Sequence, residues 1–309
     1  MRVFLAGASG VIGRALILAL VDGGHQVTGM TRQAERVGAL RVLGADPVVC
    51  DVFDEAGLTE AVKVARPDAV VHQLTAIPRR MDPRRIKELM EPTNRLRIEG
   101  TKHLIAAAVA AGARRFVTQS IAFVYAPRYE SLADENEPLY YDAPDPFVPV
   151  IHAVAECEQT ALSTAGIRGT VLRYGFFYGP GMIYAADGSF SDDVNRKRVP
   201  IVGEGGGVFS FIHVDDAANA TRAALEQDAD GVFNIVDDDP APVRDWLPRL
   251  AEELGAAAPG RAPAWLARLG AGDYAVYLMT EQRGAANDKA KQRLGWQPAH
   301  PTWRAGFLS

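Results

Sequence analysis

The sequence predicts an α/β protein: a doubly wound parallel sheet followed by a smaller C-terminal lobe. Three observations carry that reading. The apolar run Val3-Phe4-Leu5-Ala6 passes directly into Gly7-Ala8-Ser9-Gly10-Val11-Ile12-Gly13, and then into the densely apolar segment Arg14 to Leu20. Strand-like and helix-like segments then alternate five times, the pattern of a parallel sheet with helices on both faces. Beyond about residue 175 the alternation gives way to a mixed region rich in aromatic residues. The domain reading that follows assigns residues 1–175 to the nucleotide-binding domain, with 208–230 returning to it. It assigns residues 176–207 and 231–309 to the lobe.

The first element is a strand because four apolar residues stand together, and the next is a helix because its apolar residues are too dense for an exposed surface. Glycines between them let the backbone turn sharply and approach a ligand, while the helix start presents unpaired N–H groups to an anion. Gly7, Ser9, Gly10, Val11, Ile12 and Gly13 are therefore candidate contacts for a pyrophosphate. After a turn at Asp22-Gly23-Gly24-His25, the second strand is Gln26 to Met30. A carboxylate at this strand end would select NAD(H) by taking the ribose 2′-hydroxyl. The strand is followed instead by Arg32 and Arg36, which suit a 2′-phosphate, so the expected cofactor is NADP(H).

A third strand, Pro47 to Cys50, ends at Asp51-Val52, where the aspartate is placed to accept from an adenine amino group. The fourth, Ala69 to Leu74, leads into Thr75-Ala76, and its His72 reads as a hydrogen-bonded core residue. A long helix is expected from about Thr93 to Gly112, then a strand at Arg115 to Gln119. Residues 125–149 are rich in Pro, Asp, Glu and Tyr and read as a long loop at the strand tips, where a substrate mouth is commonly shaped. A helix from Val150 to Ala165 and a strand from Gly169 to Tyr174 complete the alternation. Leu74, Thr75, Ala76, Gln119, Tyr174, Phe176 and Phe177 stand at or near strand carboxyl ends, where such sheets bind ligands, and join Asp51 and Val52 as candidate cofactor contacts. Later come a strand at Val232 to Val236, amphipathic helices around Trp246, Trp265 and Lys289, and a flexible connector at Gly255 to Pro263.

Composition narrows the partners. A net charge of −5 argues against nucleic acid, and the basic run Arg79 to Lys87 reads as a solvated loop and helix face. Cys50 and Cys157 are far apart and lack neighbours at ligand spacing, so no disulfide framework or metal site is expected. No apolar stretch reaches membrane-spanning length, and the chain reads as reduced and cytoplasmic.

Several stretches resemble the extended and atypical short-chain dehydrogenase/reductases, over nearly the whole chain. They are the glycine loop 7–13, Val70 to Ala76, Asn94 with Glu99-Gly100-Thr101, Leu172-Arg173 through Gly181, Phe211 to Asp216, and Leu294 to Pro298. The resemblance implies a Rossmann nucleotide domain. It also implies hydride chemistry assisted by a Tyr-x-x-x-Lys pair and a nearby Ser or Thr. None of the nine tyrosines is followed four residues later by lysine. Matching the family helix by Glu158 puts Val150 and Val154 in the tyrosine and lysine places, and the third partner falls at Ile121. Ser120 is adjacent, but neighbouring side chains along a strand point to opposite sides.

The expected activity is an NADPH-dependent ketoreductase for an aromatic polyketide-like substrate of the kind met in antibiotic biosynthesis. Proton transfer would be substrate-assisted, with charge passing onto a conjugated phenol. Ile121, Phe123, Tyr125, Val150, Val154, Phe177 and Tyr178 are the expected pocket lining, flat and apolar enough for an aromatic ring. Tyr125, His152, Tyr178 and His213 are alternative proton donors. Two other readings stand beside this one: an NADP(H)-responsive binding protein without catalysis, and a sugar-nucleotide epimerase or dehydratase. The last needs a base for an unactivated alcohol, and the triad places supply none.

Overall fold

The structure, a computed structural model, describes residues 1–127 and 131–308. The elements run β1 (Arg2–Ala6), α1 (Val11–Asp22), β2 (Gln26–Thr31), α2 (Val37–Val42), β3 (Asp46–Val49), α3 (Glu55–Ala65) and β4 (Ala69–His72). Then come α4 (Ile86–Arg95), a π-helical turn (Leu96–Gly100), α5 (Thr101–Ala110), β5 (Arg115–Ile121), α6 (Val148–Ser163) and β6 (Arg168–Tyr174). The lobe begins with β7 (Phe176–Tyr178), α7 (Ser189–Asn195), β8 (Ile201–Val202), β9 (Val208–Phe209) and β10 (Phe211–His213). The chain ends with α8 (Val214–Glu226), β11 (Gly231–Ile235), β12 (Ala241–Pro242), α9 (Val243–Glu253), β13 (Arg261–Ala262), α10 (Ala264–Thr280) and α11 (Asp288–Leu294).

Seven parallel strands form the central sheet in the order β11-β6-β5-β4-β1-β2-β3. The order reverses between β1 and β4, and ligands of open α/β sheets collect in the crevice at that reversal. β1 shows why the sheet is buried on both faces. Val3 and Leu5 pack with α1 and α8, whereas Phe4 and Ala6 pack with α3 and α5, as the two-residue period of a strand requires.

The structure corrects several boundaries. β11, expected in the lobe, pairs in parallel with β6 at the edge of the central sheet. Leu294 and Trp296 pack in the same cluster as Phe233 and Ile235, so 231–236 and 288–296 belong with the nucleotide domain. The expected single helix over 93–112 is interrupted by the π-helical turn. The connector at 255–263 contains β13, which pairs with β8. The basic run is not merely solvated, because Arg80 pairs with Asp192 and Asp193 of α7. Part of the long loop, residues 128–130 with Tyr129, lies outside the described residues. Its remainder is tethered: Tyr125 bridges Leu139, Ala133 bridges Ala285, and Arg283 pairs with Glu137 at 3.0 Å. Among the described residues no helix is long and apolar enough to cross a membrane.

One buried ion pair holds α6 against the sheet. The Glu158 carboxylate accepts from Arg173 Nε at 2.8 Å and Nη2 at 2.6 Å, and from Ser120 Oγ at 2.6 Å. Arg173 Nη1 also donates to the Tyr125 hydroxyl at 2.8 Å, which donates to Asn234 Oδ1 at 2.5 Å. This network joins α6, β5, β6, β11 and the start of the long loop. Burial disfavours the Arg173 charge, but the Glu158 carboxylate more than offsets it and the guanidinium is held ionised. Replacing Glu158 with Ala strands that guanidinium and is expected to lower the unfolding free energy by about 3–5 kcal/mol. A urea titration reads this directly, and a loss below about 1 kcal/mol would show that the pair does not anchor α6.

Candidate active site

The glycine loop connects β1 to α1 at the crevice between β1 and β4. Gly7 adopts a φ of 91°, and a Cβ there would lie 2.6 Å from the Gln73 carbonyl oxygen. A Cβ on Gly13 would lie 2.2 Å from the Gly7 carbonyl oxygen. These two glycines are demanded by the fold. Gly10 is not, since it has an extended φ of −71° and its added Cβ would come no nearer than 3.4 Å to protein. It is exposed at the head of α1, where no side chain caps the helix and no acidic residue occupies the first turn. A bare, uncapped helix start with room above it fits a dinucleotide pyrophosphate. The family-type loop at Gly179 and Gly181 faces it, with Gly181 close to Val11.

The neighbouring contacts are arranged by strand ends. Thr31 at the end of β2 donates to Ser9 Oγ at 3.1 Å, and Arg32 beyond it is exposed, with Nη1 4.0 Å from Asp51 Oδ2. Arg36 donates to Gln33. Neither arginine is tightly held, so both can turn to an added phosphate. Asp51 accepts from the Phe53 N–H through Oδ1. The ledge Leu74-Thr75-Ala76 is pinned from three sides: Leu74 N–H donates to His72 Nδ1, Gln119 Nε2 to the Leu74 carbonyl, and Ala76 N–H to Thr93 Oγ1. His72 behaves as the expected core histidine, with burial pushing its pKa down to about 4 and keeping the ring neutral.

Four expected contacts are corrected by burial. Val52 is enclosed, and its carbonyl accepts from His103. The Tyr174 hydroxyl shares a hydrogen bond with Thr221 and accepts from Gln73, inside the core rather than toward a cofactor. Tyr178 packs in the aromatic core of the lobe with Phe211 and Trp246. Tyr125 is 0% exposed, and burial raises its pKa to about 12, so it neither lines the pocket nor gives up a proton readily. The remaining alternative donors are also engaged elsewhere. His152 points outward beside Tyr141, and His213 caps α8 by accepting from the Asp215 N–H. His213, Asp216 and His300 place one ligand atom each within 4.8 Å of one another. Asp216 already accepts from the N–H groups of Ala299 and His300, which makes this group a clamp on the C-terminal segment.

Ile121, Val150 and Val154 do come together, in a cluster with Phe123, Phe147, Tyr274 and Tyr277. Val150 and Val154 are each 1% exposed and form a packed wall beneath the half-buried Ile121 and Phe123. Phe123 stacks on Phe176 at 4.2 Å between ring centres beside the aliphatic base, whereas Phe177, expected in the lining, packs instead against Tyr174 and the cluster on the other side of the sheet. Ser120 faces Glu158, as strand alternation predicts, and offers no proton to this space. Sequence reasoning missed Tyr274, which roofs the cluster from α10, and Arg97, which the π-helical turn carries into the interior. Arg97 lies one helical turn after Asn94 and one before Thr101, both buried, and that spacing was the available signal.

Comparisons with known proteins bear on the family and the fold. The sequence pattern of the NAD dependent epimerase/dehydratase family matches residues 3–236. The chain is 48% identical over 310 residues, 99% of each protein, to a Streptomyces protein named 3-diazoavenalumate denitrifying reductase. It is 29% identical over 323 residues, 96% of this chain and 92% of the other, to a Stigmatella aurantiaca protein. That relative is named a 4-hydroxy-2-methyl-3-oxo-4-farnesyl-3,4-dihydroquinoline-1-oxide ketoreductase. In fold it is similar to UDP-glucose 4-epimerase of Thermotoga maritima, with a TM-score of 0.78 at 22% identity over 100% of this chain and 96% of that one. It is also similar to a human epimerase family protein solved with NADPH, with a TM-score of 0.74 at 22% identity over 100% and 98% of the two chains.

Two substitutions test the site. Gly13→Ala should weaken NADPH binding by about tenfold or more, because the cradle must open to admit the methyl group; unchanged affinity in a fluorescence titration would remove the cradle from this role. Tyr125→Phe should cost about 1–2 kcal/mol of stability while leaving turnover nearly intact, and a hundredfold loss of turnover would restore Tyr125 as the acid.

Proposed function

The chain belongs to the NAD-dependent epimerase/dehydratase family and is an oxidoreductase that uses a nicotinamide cofactor. On that premise we propose that it is an NADPH-dependent reductase of an aromatic substrate whose electrophile needs no proton from the protein. The observation that carries this reading is the aliphatic set Ile121, Val150 and Val154 beside an intact dinucleotide cradle. Gly10 and the head of α1 would hold the pyrophosphate, the 74–76 ledge the nicotinamide half, and Arg32 and Arg36 the 2′-phosphate. The bound nicotinamide supplies a hydride.

Reduction of an ordinary ketone builds charge on oxygen, and a positioned acid there contributes roughly 10²–10⁴ in rate, about 3–5 kcal/mol. An arene diazonium removes that demand. Hydride forms an N–H bond at the terminal nitrogen, and a π pair between the nitrogens moves to the inner one. The resulting aryldiazene then loses N₂ while its N–H proton passes to the ring carbon. The sum is arene, N₂ and oxidised cofactor. A cation is discharged and no oxyanion is created, so an aliphatic wall suffices, and the similarity to the denitrifying reductase supports this electrophile.

A second reading keeps the ketone. A carbonyl conjugated to a phenol, as in an aromatic polyketide, receives hydride while charge moves onto the phenolate of the substrate itself. The Stigmatella ketoreductase favours it. The noncatalytic sensor loses ground because both relatives are named reductases. The epimerase reading loses ground because Ile121, Val150 and Val154 are aliphatic where a base would be needed.

The test incubates the protein and NADPH with 2-diazophenol and with phenolic aryl ketones. Loss of nicotinamide absorbance with N₂ release supports the diazo reading. Reduction of the ketones, but not of their phenol methyl ethers, supports the second. Cofactor binding with no oxidation by either class would sink both. Arg32→Ala should weaken NADPH binding by about 10- to 150-fold while leaving NADH unchanged; equal losses for both cofactors would assign Arg32 another role.

A further inference from the structure

Three arginines are buried among the described residues: Arg97, Arg173 and Arg283. Arg173 is paired with Glu158, and Arg283 with Glu137. Arg97, 6% exposed, has no carboxylate within 4.0 Å among the described residues, and there its one hydrogen bond goes to Asn94 Oδ1 at 3.3 Å. Glu158 is close enough to act on it electrostatically, but both carboxylate oxygens of Glu158 are taken by Arg173, with Ser120 sharing one. The other titratable groups that act on Arg97 or face it are Cys157, Tyr274 and His72. Burial raises the pKa of Cys157 and of Tyr274 and lowers that of His72, so all three stay neutral near pH 7. Glu158, Arg173 and Arg97 together therefore leave one positive charge without an anion in the interior.

The location of that charge matters. The π-helical turn carrying Arg97 packs on α6, which presents Val150 and Val154, and Tyr274 belongs to the same apolar cluster as those valines. Single π-turns inside α-helices occur frequently at functional sites, where they redirect a side chain. A buried cation with a single neutral acceptor is costly, and a neutral sugar hydroxyl would leave the charge uncompensated. An oxyanion compensates it, and the planar fork of guanidinium suits one well.

We propose that Arg97 is the anion-binding residue of the substrate site, pairing with a carboxylate or phenolate oxygen of the aromatic substrate. The inference rests on the reductase reading and adds the charge of the substrate to it.

Calorimetric titration of the NADP⁺-loaded protein with cinnamate, 4-nitrophenolate and neutral cinnamamide tests it. At least one anion should bind about tenfold or more tightly than the amide, and the anion that binds identifies carboxylate or phenolate as the group recognised. Arg97→Gln and Arg97→Met should each weaken that anion by about tenfold or more, with Arg97→Lys restoring part. NADP⁺ and amide affinities should stay unchanged. Arg97→Met should also raise the melting temperature of the unliganded protein, since an apolar chain replaces an unpaired buried charge. Equal anion affinity in wild type and folded variants, or no preference of the wild type for anions over the amide, would overturn the proposal. Arg97-dependent anion binding in a protein that never oxidises NADPH would leave this inference standing and remove the reductase reading instead.

Discussion

The buried pair of Glu158 and Arg173 is the interaction on which the rest of the structure depends. It crosses from α6 to β6, and through Ser120, Tyr125 and Asn234 it reaches β5, the long loop and β11. Two charges removed from water this completely need near-ideal geometry to be tolerated. The bidentate contact at 2.6 and 2.8 Å supplies it. The same network determines the chemistry available nearby. Ser120 and Tyr125 lie next to the aliphatic wall in sequence, and both are committed to Glu158 and Arg173 rather than to a reacting group, while burial raises the pKa of the cluster tyrosines Tyr274 and Tyr277.

The wall itself is apolar, and the buried Arg97 lies on the π-helical turn packed against the helix that carries it. Val150 and Val154 pack with Ile121 and Phe123 into an apolar surface that offers no acid or base of its own. Such a site suits an electrophile that hydride neutralises, or one with its own charge sink. It suits an unactivated alcohol poorly, because removing that proton needs a base and Ile121, Val150 and Val154 supply none. The sugar-nucleotide enzymes that share the fold at 22% identity show how one scaffold serves different chemistry when the groups above the sheet change.

The cofactor end follows a different logic. Gly7 and Gly13 are glycines because backbone atoms approach too closely for any side chain, so the turn would need them with or without a ligand. Gly10 is a glycine that packing does not require, so it is the residue of the loop whose identity a bound pyrophosphate would explain. Arg32 is exposed and only loosely held by Asp51, so its placement costs little folding energy and leaves it available to the cofactor.

The sheet, the cradle and the absence of the usual acid were legible from the residues alone. Strand alternation, glycine spacing and the lack of a Tyr-x-x-x-Lys pair are local patterns, and local sterics and periodicity decide them. Burial was legible where it follows from such a pattern, as with the apolar run of β1 and the core role of His72. It took the folded chain to show that β11 joins the sheet, that Tyr125, Tyr174 and Tyr178 are interior, and that Arg97 is buried with no carboxylate beside it among the described residues. Those facts depend on groups tens to more than a hundred residues apart arriving at one place, as Tyr125 meets Asn234 and Arg173. A tyrosine or arginine looks alike in sequence whether its polar end meets a ligand, water or another side chain, and that difference sets its charge and reactivity.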